Sequence, residues 1–181
     1  CAVSRMIKAK DPEAITVFIG PCIAKKSEVV DQKLEGNADY VLAYSEIRAI
    51  MKAKGVQMEP CENEGQIASV YGKRFANSGG VTGAVLQSMK ESGKESGAKV
   101  CQANGAAECK KALLLMKAGR LPEDFVEGMA CEGGCVGGPS QFADPVSTKK
   151  SREALLGQAD DRGIHENLSS YDMDGFSMYR K

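Results

Sequence analysis

The sequence predicts an α/β fold in which a mostly parallel four-stranded sheet is flanked by helices. Short runs of β-branched and aromatic residues alternate along the chain with amphipathic segments of helical period. Strands that alternate with helices pair in parallel and are covered on both faces, because each helix returns the chain across the sheet. A length of 181 residues is enough for a core, so we expect a single domain over residues 1–181.

Four runs have the composition of strands. The first, 15–19 (ITVFI), is short and strongly apolar; it is expected to be buried and to end at the turn 20–22 (GPC). The others are 40–44 (YVLAY), 99–103 and the weaker 124–130 (DFVEGMA). These runs set the number of strands in the expected sheet.

The helical segments between these strands are marked by their end signals. Pro12 ends the first helix, because the residue before a proline disfavours helix. Ser45 is the expected N-cap of the second helix, and Gly119 is the expected C-cap of the fourth. The predicted helices are residues 2–10, 45–54, 78–92, 106–118 and one amphipathic helix after Ser147. Residues 55–72 are expected to form a loop with at most one short strand.

The charges of the chain are balanced. Lys and Arg together number 24, as do Asp and Glu, so the formal net charge is zero. A nucleic-acid or membrane-surface protein normally carries a basic excess, and no apolar run approaches the roughly 20 residues that span a bilayer. Because no signal peptide is visible, we expect a cytoplasmic protein that binds neither nucleic acid nor membrane.

Seven cysteines and a single histidine point to metal chemistry based on sulfur. Cytoplasmic thiols stay reduced, so a high cysteine count favours metal or redox chemistry over disulfides. The one histidine, His165, lies in a polar tail where we expect it to be solvated, and a His-rich metal site is excluded. Thiolate ligands suit iron–sulfur clusters or zinc.

Three of the cysteines follow predicted strands. Cys22 comes directly after the first strand, Cys131 after the fourth, and Cys135 four residues later. Ligands of an open parallel sheet bind at the carboxyl ends of its strands, so we expect these thiols to converge at one edge and bind iron. The alternative is that Cys131 and Cys135 are small core residues at a turn. Glycines in the same segment would let the backbone approach a bulky ligand: Gly133, Gly134, Gly137 and Gly138.

The other cysteines are interpreted as structural. Cys109 shares a helical stripe with Leu113 and Met116, which indicates a place in the core. Cys101 lies inside a predicted strand and is given the same interpretation. Cys61 lies among acidic residues, where a thiol is a poor nucleophile, and these acids are expected to form a solvated loop.

Three stretches carry a resemblance to a known family. Residues 20–28 (GPCIAKKSE) contain a Pro-Cys pair, a Lys three positions on and a Glu three beyond that; residues 78–84 (SGGVTGA) and 127–135 (EGMACEGGC) follow in order. Together they resemble the C-terminal part of the catalytic domain of iron-only hydrogenases, over nearly the whole chain. The resemblance implies one lobe of that domain, within a parent protein that interconverts protons, electrons and dihydrogen, or senses dihydrogen.

The cofactor implied by the resemblance is the H-cluster, a [4Fe–4S] cubane joined through a cysteine sulfur to a diiron unit with cyanide and carbonyl ligands. Cys22 and Cys131 match cubane ligands. Cys135 matches the cysteine that bridges the cubane and the diiron unit, and with Lys25 it is implied as catalytic.

Four further residues are implied to surround the diiron unit. Lys25 matches the lysine that donates to an iron-bound cyanide, a role that suits a cation beside an anionic ligand in a dry site. Glu28 matches a carboxylate that orients the lysine loop, and Met129 a methionine packed near the diiron unit. Pro21 belongs to the Pro-Cys pair beside the cluster, whereas Lys26 is interpreted as a surface residue.

The chain departs from the family pattern in three places. The first cluster-binding signature, with the fourth cubane ligand and a proton-donating cysteine, is expected upstream of Cys1, which lacks that signature's context. Gly20 stands where the family usually has a methionine, which would open the pocket beside the diiron unit. The glycine run after Cys135 is shorter than in well-known active members. The last two departures resemble sensory or divergent branches.

A piece of the H-cluster domain without its first signature is expected to be inactive by itself and without a cluster, because three thiolates do not complete a cubane. Its expected partners are the missing N-terminal lobe of the same chain and an electron carrier such as ferredoxin. Apolar surface that the lobe would cover is expected to favour homodimers or aggregation.

Two other classes of function stay open. One is a non-catalytic iron–sulfur assembly or scaffold protein, which would bind a cubane without a diiron unit. The other is a cluster-free redox regulatory module in which Cys131 and Cys135 form a switchable pair.

Overall fold

The structure is a computed structural model that describes residues 1–31, 33–59, 68–94, 97–159 and 161–172. The described residues fall into two compact units. The first unit contains residues up to 59 together with 139–142, and the second contains residues 68–138 and 143–172. The expectation of one domain over the whole chain stays a prediction.

The first unit is built from three helices and two strands. Its strands pair in parallel, with Val17 opposite Tyr40 and Gly20 opposite Ala43. The helix between them returns the chain to the starting edge of the sheet, as parallel pairing requires. The elements are α1 (Ala2–Lys10), β1 (Val17–Gly20), α2 (Ala24–Val29), β2 (Tyr40–Ala43) and α3 (Tyr44–Ala53).

The second unit repeats this strand–helix–strand arrangement. Its two strands also pair in parallel, with Val100 opposite Phe125 and Asn104 opposite Met129, and the helix that connects them packs on both. The elements are α4 (Val70–Lys73), α5 (Gly80–Glu91), β3 (Val100–Asn104), α6 (Ala106–Lys117), β4 (Phe125–Met129), α7 (Pro145–Leu156) and α8 (Ile164–Leu168), with short 3-10 helices at Arg74–Ala76 and Cys135–Gly137.

The α/β class and the parallel direction of the strands are confirmed, and each predicted strand is present within two residues of its expected bounds. The four strands pair as two sheets of two, β1 with β2 and β3 with β4, whereas one four-stranded sheet was expected. Periodicity identifies a strand but carries no information on its hydrogen-bonding neighbour, which is why the sheet order was not predictable. Among the described residues, no helix is both long and apolar enough to cross a membrane.

The expectation that the first strand is buried is wrong. Val17, Phe18 and Ile19 are 45%, 40% and 47% exposed, and the preceding Ile15 is 73% exposed. The faces of a parallel sheet are normally both buried under helices. A sheet of only two strands is too narrow to bury the side chains on its faces. The buried hydrophobic side chains are instead mostly small ones, such as Ala43 in β2. The exposed apolar surface expected from the sequence is therefore present on β1.

A network around Asp39 ties α1 to the chain just before β1. Its Oδ1 accepts from Lys8 Nζ at 2.6 Å, and its Oδ2 accepts from the backbone N–H of Thr16 at 2.7 Å and from the Thr16 hydroxyl at 2.9 Å. The Thr16 hydroxyl also lies 2.8 Å from the Ser4 hydroxyl on α1. The Lys8 ammonium, then the Thr16 donors, lower the pKa of Asp39 to about 2.

Replacing Asp39 with asparagine should make the stability of the protein less dependent on pH. A carboxylate with a depressed pKa stabilises the folded state above its unfolded pKa of about 3.9, and this contribution is lost as pH falls toward about 2. We expect Asp39→Asn to lower the urea midpoint near pH 7, and the deficit to shrink as pH falls from 4 to 2.

The matched control is Asp161→Asn, which changes an exposed aspartate of the other unit. The control should leave the urea midpoint unchanged near pH 7. A deficit of Asp39→Asn that stays constant from pH 7 to pH 2 would contradict the assigned network.

Candidate functional site

The first cysteine segment lies where β1 ends and α2 begins. Cys22 is half-buried in the turn between Gly20, the last residue of β1, and Ala24, the first residue of α2. The expected place of Cys22 at the carboxyl end of a strand is thus confirmed. The backbone carbonyl of the preceding Pro21 accepts from the N–H of Ser140 at 3.2 Å.

The space next to the Cα atom of Gly20, where a side chain would start, is occupied by an aromatic ring. A Cβ built at Gly20 would lie 2.8 Å from the ring of Phe18, two residues earlier in the same strand. Residues two apart in a strand lie on the same face, so the Phe18 ring folds over the space that a larger residue at position 20 would take. The Phe18 ring thus fills the space on this side of Gly20, and the expectation of an open pocket beside a diiron unit stays a prediction.

Lys25 and Glu28 form an ion pair on α2. They are three residues apart, a spacing that brings side chains together on one helix face. The Lys25 side chain is 42% exposed and that of Glu28 is 26% exposed. The backbone carbonyl of Glu28 accepts from Asn37 Nδ2 at 2.6 Å, which fixes the end of α2. The expected role of Glu28 in orienting the lysine loop stays a prediction.

Lys26 is more than a solvated surface residue. Its ammonium lies 2.7 Å from Glu46 Oε2, and Glu46 in turn accepts the backbone N–H of Ala43 at 2.8 Å. The Lys26 hydrogen bond, followed by the Ala43 bond, lowers the pKa of Glu46. Glu46 thus stabilises the start of α3. The helix begins at Tyr44 with Ala43 as its N-cap, and the expectation of Ser45 as N-cap is therefore wrong.

The second cysteine segment follows β4 directly. Cys131 is half-buried two residues after Met129, the end of the strand, and Cys135 is exposed and begins a 3-10 helix. The turn between them is closed by a bond from the N–H of Gly134 to the carbonyl of Cys131 at 3.0 Å. Met129 is half-buried, and its carbonyl accepts from the N–H of Gly105 at 2.7 Å. The predicted place of this segment at a strand end is confirmed.

The glycines of this segment serve contacts within the protein. Gly133 and Gly134 have φ angles of +82° and +88°, which residues with a Cβ rarely adopt. A Cβ at Gly134 would lie 2.6 Å from the carbonyl oxygen of Ala76, and one at Gly137 would lie 2.0 Å from that of Glu132. The sequence interpretation assigned these glycines to the approach of a ligand; the close approach that the structure shows is between backbone segments.

Two residues that sequence reasoning did not assign to the site bind this segment or the start of α5 next to it. Glu127 on β4 is a carboxylate only 4% exposed, which binds the start of α5 through Gly79 and Thr82. Asn104, the last residue of β3, accepts the backbone N–H of Gly133 at 2.7 Å. The sequence held a signal for Glu127, since it is an acid inside an apolar strand, but none that would have linked Asn104 to the cysteines.

The remaining cysteines have structural contacts. Cys109 on α6 is half-buried, and its thiol lies 3.6 Å from the carbonyl of Ala103. The expectation that its stripe with Leu113 and Met116 faces the core is wrong, because both of these side chains are exposed. Cys101 is half-buried within β3, while Cys61 lies outside the described residues. His165 is half-exposed, and its Nε2 lies 3.3 Å from the hydroxyl of Ser88 on α5.

The predicted site residues fall into two local groups. One contains Cys22, Pro21, Lys25 and Glu28 in the first unit, and the other contains Met129, Cys131 and Cys135 in the second. Within each unit, the described residues include no cluster of three or more His, Cys, Asp or Glu side chains arranged to hold a metal ion. The convergence of the three thiols stays a prediction.

The donor chemistry of the three cysteines fits an iron–sulfur group. The six cysteines in the described part of the chain are all outside disulfides, so no disulfide occupies the sulfur atoms of Cys22, Cys131 and Cys135. Cys22 and Cys131 are half-buried and follow the ends of β1 and β4, and Cys135 is exposed at the start of a 3-10 helix. Soft thiolates are what such clusters bind.

Comparison with known proteins gives a consistent result. Residues 1–139 match the family model described as iron only hydrogenase large subunit, C-terminal domain. The periplasmic [Fe] hydrogenase large subunit of Nitratidesulfovibrio vulgaris is 29% identical over 172 residues, covering 75% of this chain and 41% of the relative. Iron hydrogenase 1 of Clostridium pasteurianum is 28% identical over 212 residues, covering 90% and 36%. The chain thus spans less than half the length of these curated relatives.

Solved structures with the same fold include an [FeFe]-hydrogenase HydA1 variant from Chlamydomonas reinhardtii, with a TM-score of 0.66 and 22% identity over 97% of this chain and 63% of that one. The structure of HydA(deltaEFG), which is described as revealing stepwise [FeFe]-hydrogenase H-cluster assembly, has a TM-score of 0.63 and 23% identity with the same coverage. At these identities the likeness concerns the fold.

The close backbone approach at Gly134 can be tested by substitution. Gly134→Ala and Gly119→Ala both place a Cβ at a positive φ, but a Cβ at Gly119 meets nothing within 4 Å. We expect Gly134→Ala to lower the free energy of unfolding by about 1–3 kcal/mol more than Gly119→Ala, as forced overpacking does. Urea unfolding of both variants measures the difference; equal losses would show that the segment does not press on Ala76.

Proposed function

Because this chain belongs to the family of iron-only hydrogenase large subunits, we propose that the protein containing it interconverts two protons and two electrons with dihydrogen, or senses dihydrogen. The observation that carries the proposal is the placement of free cysteines at the carboxyl ends of β1 and β4, inside the two segments that resemble the family's signatures. Dihydrogen sensing is kept because the glycine run after Cys135 is short.

The proposed cofactor is an H-cluster, a [4Fe–4S] cubane joined to a diiron unit, which would supply the electron storage and the site of proton reduction. Cys22 and Cys131 would hold the cubane as thiolates, and Cys135 would bridge it to the diiron unit.

Lys25 and Glu28 are proposed to act as a pair beside the diiron unit. The Lys25 ammonium would donate to an anionic cyanide, which in a water-poor site needs a charged donor. Glu28 already binds this ammonium across one turn of α2, and it would orient Lys25 while balancing its charge. Pro21 would fix the backbone before Cys22, and Met129 would pack against the cluster from the end of β4.

The expected partners are also proposals. A first lobe of the same protein would cover the apolar side chains exposed on β1 and just before it, such as Phe18 and Ile15, and would supply the fourth thiolate. Without this lobe, the same surface would favour homodimers. Electrons would arrive from a carrier such as ferredoxin. A cytoplasmic location is retained as a proposal, although one relative is named as periplasmic.

A non-catalytic iron–sulfur protein is the second candidate. The Phe18 ring lies against Gly20, next to the Pro-Cys pair, where the hydrogenase interpretation expected open space. A protein that binds only the cubane would not need that space. Infrared bands of iron-bound carbonyl and cyanide in the intact protein would favour the hydrogenase, and iron without those bands would favour the second candidate.

Cluster binding by the three cysteines can be tested in the intact protein that contains this chain. After anaerobic reconstitution with iron and sulfide, we expect Cys22→Ser, Cys131→Ser and Cys135→Ser each to lower the bound iron, because a cubane takes about four thiolates. Cys1→Ser, which changes an exposed cysteine outside the segments, should retain the iron content of the unmodified chain. Full iron content in all three variants would contradict the assignment.

The chain alone should not evolve dihydrogen. Three matching thiolates leave a cubane incomplete and open to solvent, so addition of a diiron precursor should give no sustained activity with a chemical reductant. Gas chromatography of the headspace measures this. A rate comparable to that of an intact iron-only hydrogenase would contradict the proposal.

A further inference from the structure

The peptide groups around Gly133, midway between Cys131 and Cys135, are bound on both sides by residues outside the cysteine segment. The N–H of Gly133 donates to Asn104 Oδ1 at 2.7 Å, and its carbonyl accepts from the N–H of Ser78 at 3.0 Å. Both partners are distant in sequence, one at the end of β3 and the other before α5. The orientation of this glycine is therefore set by the fold around it.

The next residue rests on the same turn. Gly134 forms an isolated antiparallel bridge with Asn77, and a Cβ at Gly134 would lie 2.6 Å from both the carbonyl oxygen of Ala76 and the nitrogen of Ser78. The turn before α5 is thus in backbone contact with the cysteine segment over two successive residues.

A buried carboxylate holds that turn in place. Glu127 Oε1 accepts from the N–H of Gly79 at 3.0 Å, and Oε2 accepts from the N–H of Thr82 at 3.2 Å and from the Thr82 hydroxyl. Glu127 and Thr82 are 4% and 3% exposed. A charge this deeply buried is tolerated only when donors satisfy it, so these three bonds fix the turn relative to β4.

These contacts restrict the backbone of the cysteine segment, which is rich in glycine. Residues 133–138 include four glycines, and such a backbone samples many conformations. The thiol of Cys135 within this stretch and that of Cys131 just before it would move with the backbone. Metal ligands need defined positions, which residues outside the ligand set usually provide.

We propose that Asn104 and Glu127 are positioning residues for the Cys131–Cys135 segment: Asn104 binds its central amide directly, and Glu127 fixes the turn that binds the same glycine from the other side. This inference rests on the proposed function in so far as the two thiols bind a cluster. Neither side chain needs to touch the cluster, because both act through Gly133.

The test compares Asn104→Ala with Asn104→Asp in the full chain. Asn104 is exposed, so its replacement leaves the core intact, and aspartate keeps the oxygen that accepts from Gly133. We expect Asn104→Ala to speed hydrogen exchange at the Gly133 amide about fivefold, the equivalent of one lost hydrogen bond, and Asn104→Asp to restore it. Gln158→Ala, an exposed change in the same unit, is the control and should leave this exchange unchanged.

The second readout is the reconstituted cluster. Asn104→Ala should weaken iron binding about tenfold or more and change the electron paramagnetic resonance line shape of the reduced cluster, with recovery in Asn104→Asp. Glu127→Gln keeps one acceptor oxygen and is expected to speed exchange at both the Ser78 and Gly133 amides. Because this variant leaves Asn104 unchanged, it tests the second half of the proposal separately.

The outcomes separate this inference from the proposed function. Unchanged Gly133 exchange in Asn104→Ala overturns the role of Asn104, and unchanged Ser78 exchange in Glu127→Gln overturns that of Glu127. Altered exchange with unaltered iron affinity and line shape shows that the contacts do not position the ligands, which also overturns the proposal. If the intact protein that contains this chain binds no iron, the proposed function fails, and the exchange data alone decide whether the segment is held.

Discussion

The parallel pairing of successive strands is the constraint from which the positions of both cysteine segments follow. In each unit a strand, a helix and a second strand run in order, and parallel pairing sends both strands of a unit toward the same edge. Cys22 comes after β1 and Cys131 after β4, so each lies at the carboxyl edge of its own sheet. Side chains at this edge are free of the strand ladder and can meet a ligand.

The sequence was informative wherever a short stretch determines its own structure. The strand signals around Val17 and Phe125 and the helix limit at Pro12 depend on neighbours a few residues away, and each has its counterpart in the structure. Ser45 is not the N-cap because the helix begins one residue earlier. The carboxylate of Glu46, which pairs with Lys26 of α2, accepts the backbone N–H of Ala43, the residue before the helix. Contacts of this kind join distant parts of the chain and leave no local pattern.

The same distinction holds for the candidate site. The cysteines, Lys25 and Glu28 could be named because they lie in short, recognisable segments of the sequence. Asn104 could not, because its bond to Gly133 joins the end of β3 to the loop after β4. The expectation that β1 is buried was wrong for a related reason. An apolar composition is typical of a strand packed on both faces, but a two-stranded sheet does not bury the side chains of β1. The interpretation of the segment's glycines changed too, since the turn at Ala76 occupies the space near Gly134.

The central claim is that the thiols of Cys22, Cys131 and Cys135 bind one iron–sulfur group. The most direct measurement is a crystal structure of the anaerobically purified protein that contains this chain, with the iron located by its anomalous scattering. We expect a single iron cluster bonded to Cys22 and Cys131, with the Cys135 sulfur also bound at its edge. Iron bound elsewhere, or three thiols in separate regions of the molecule, would contradict it.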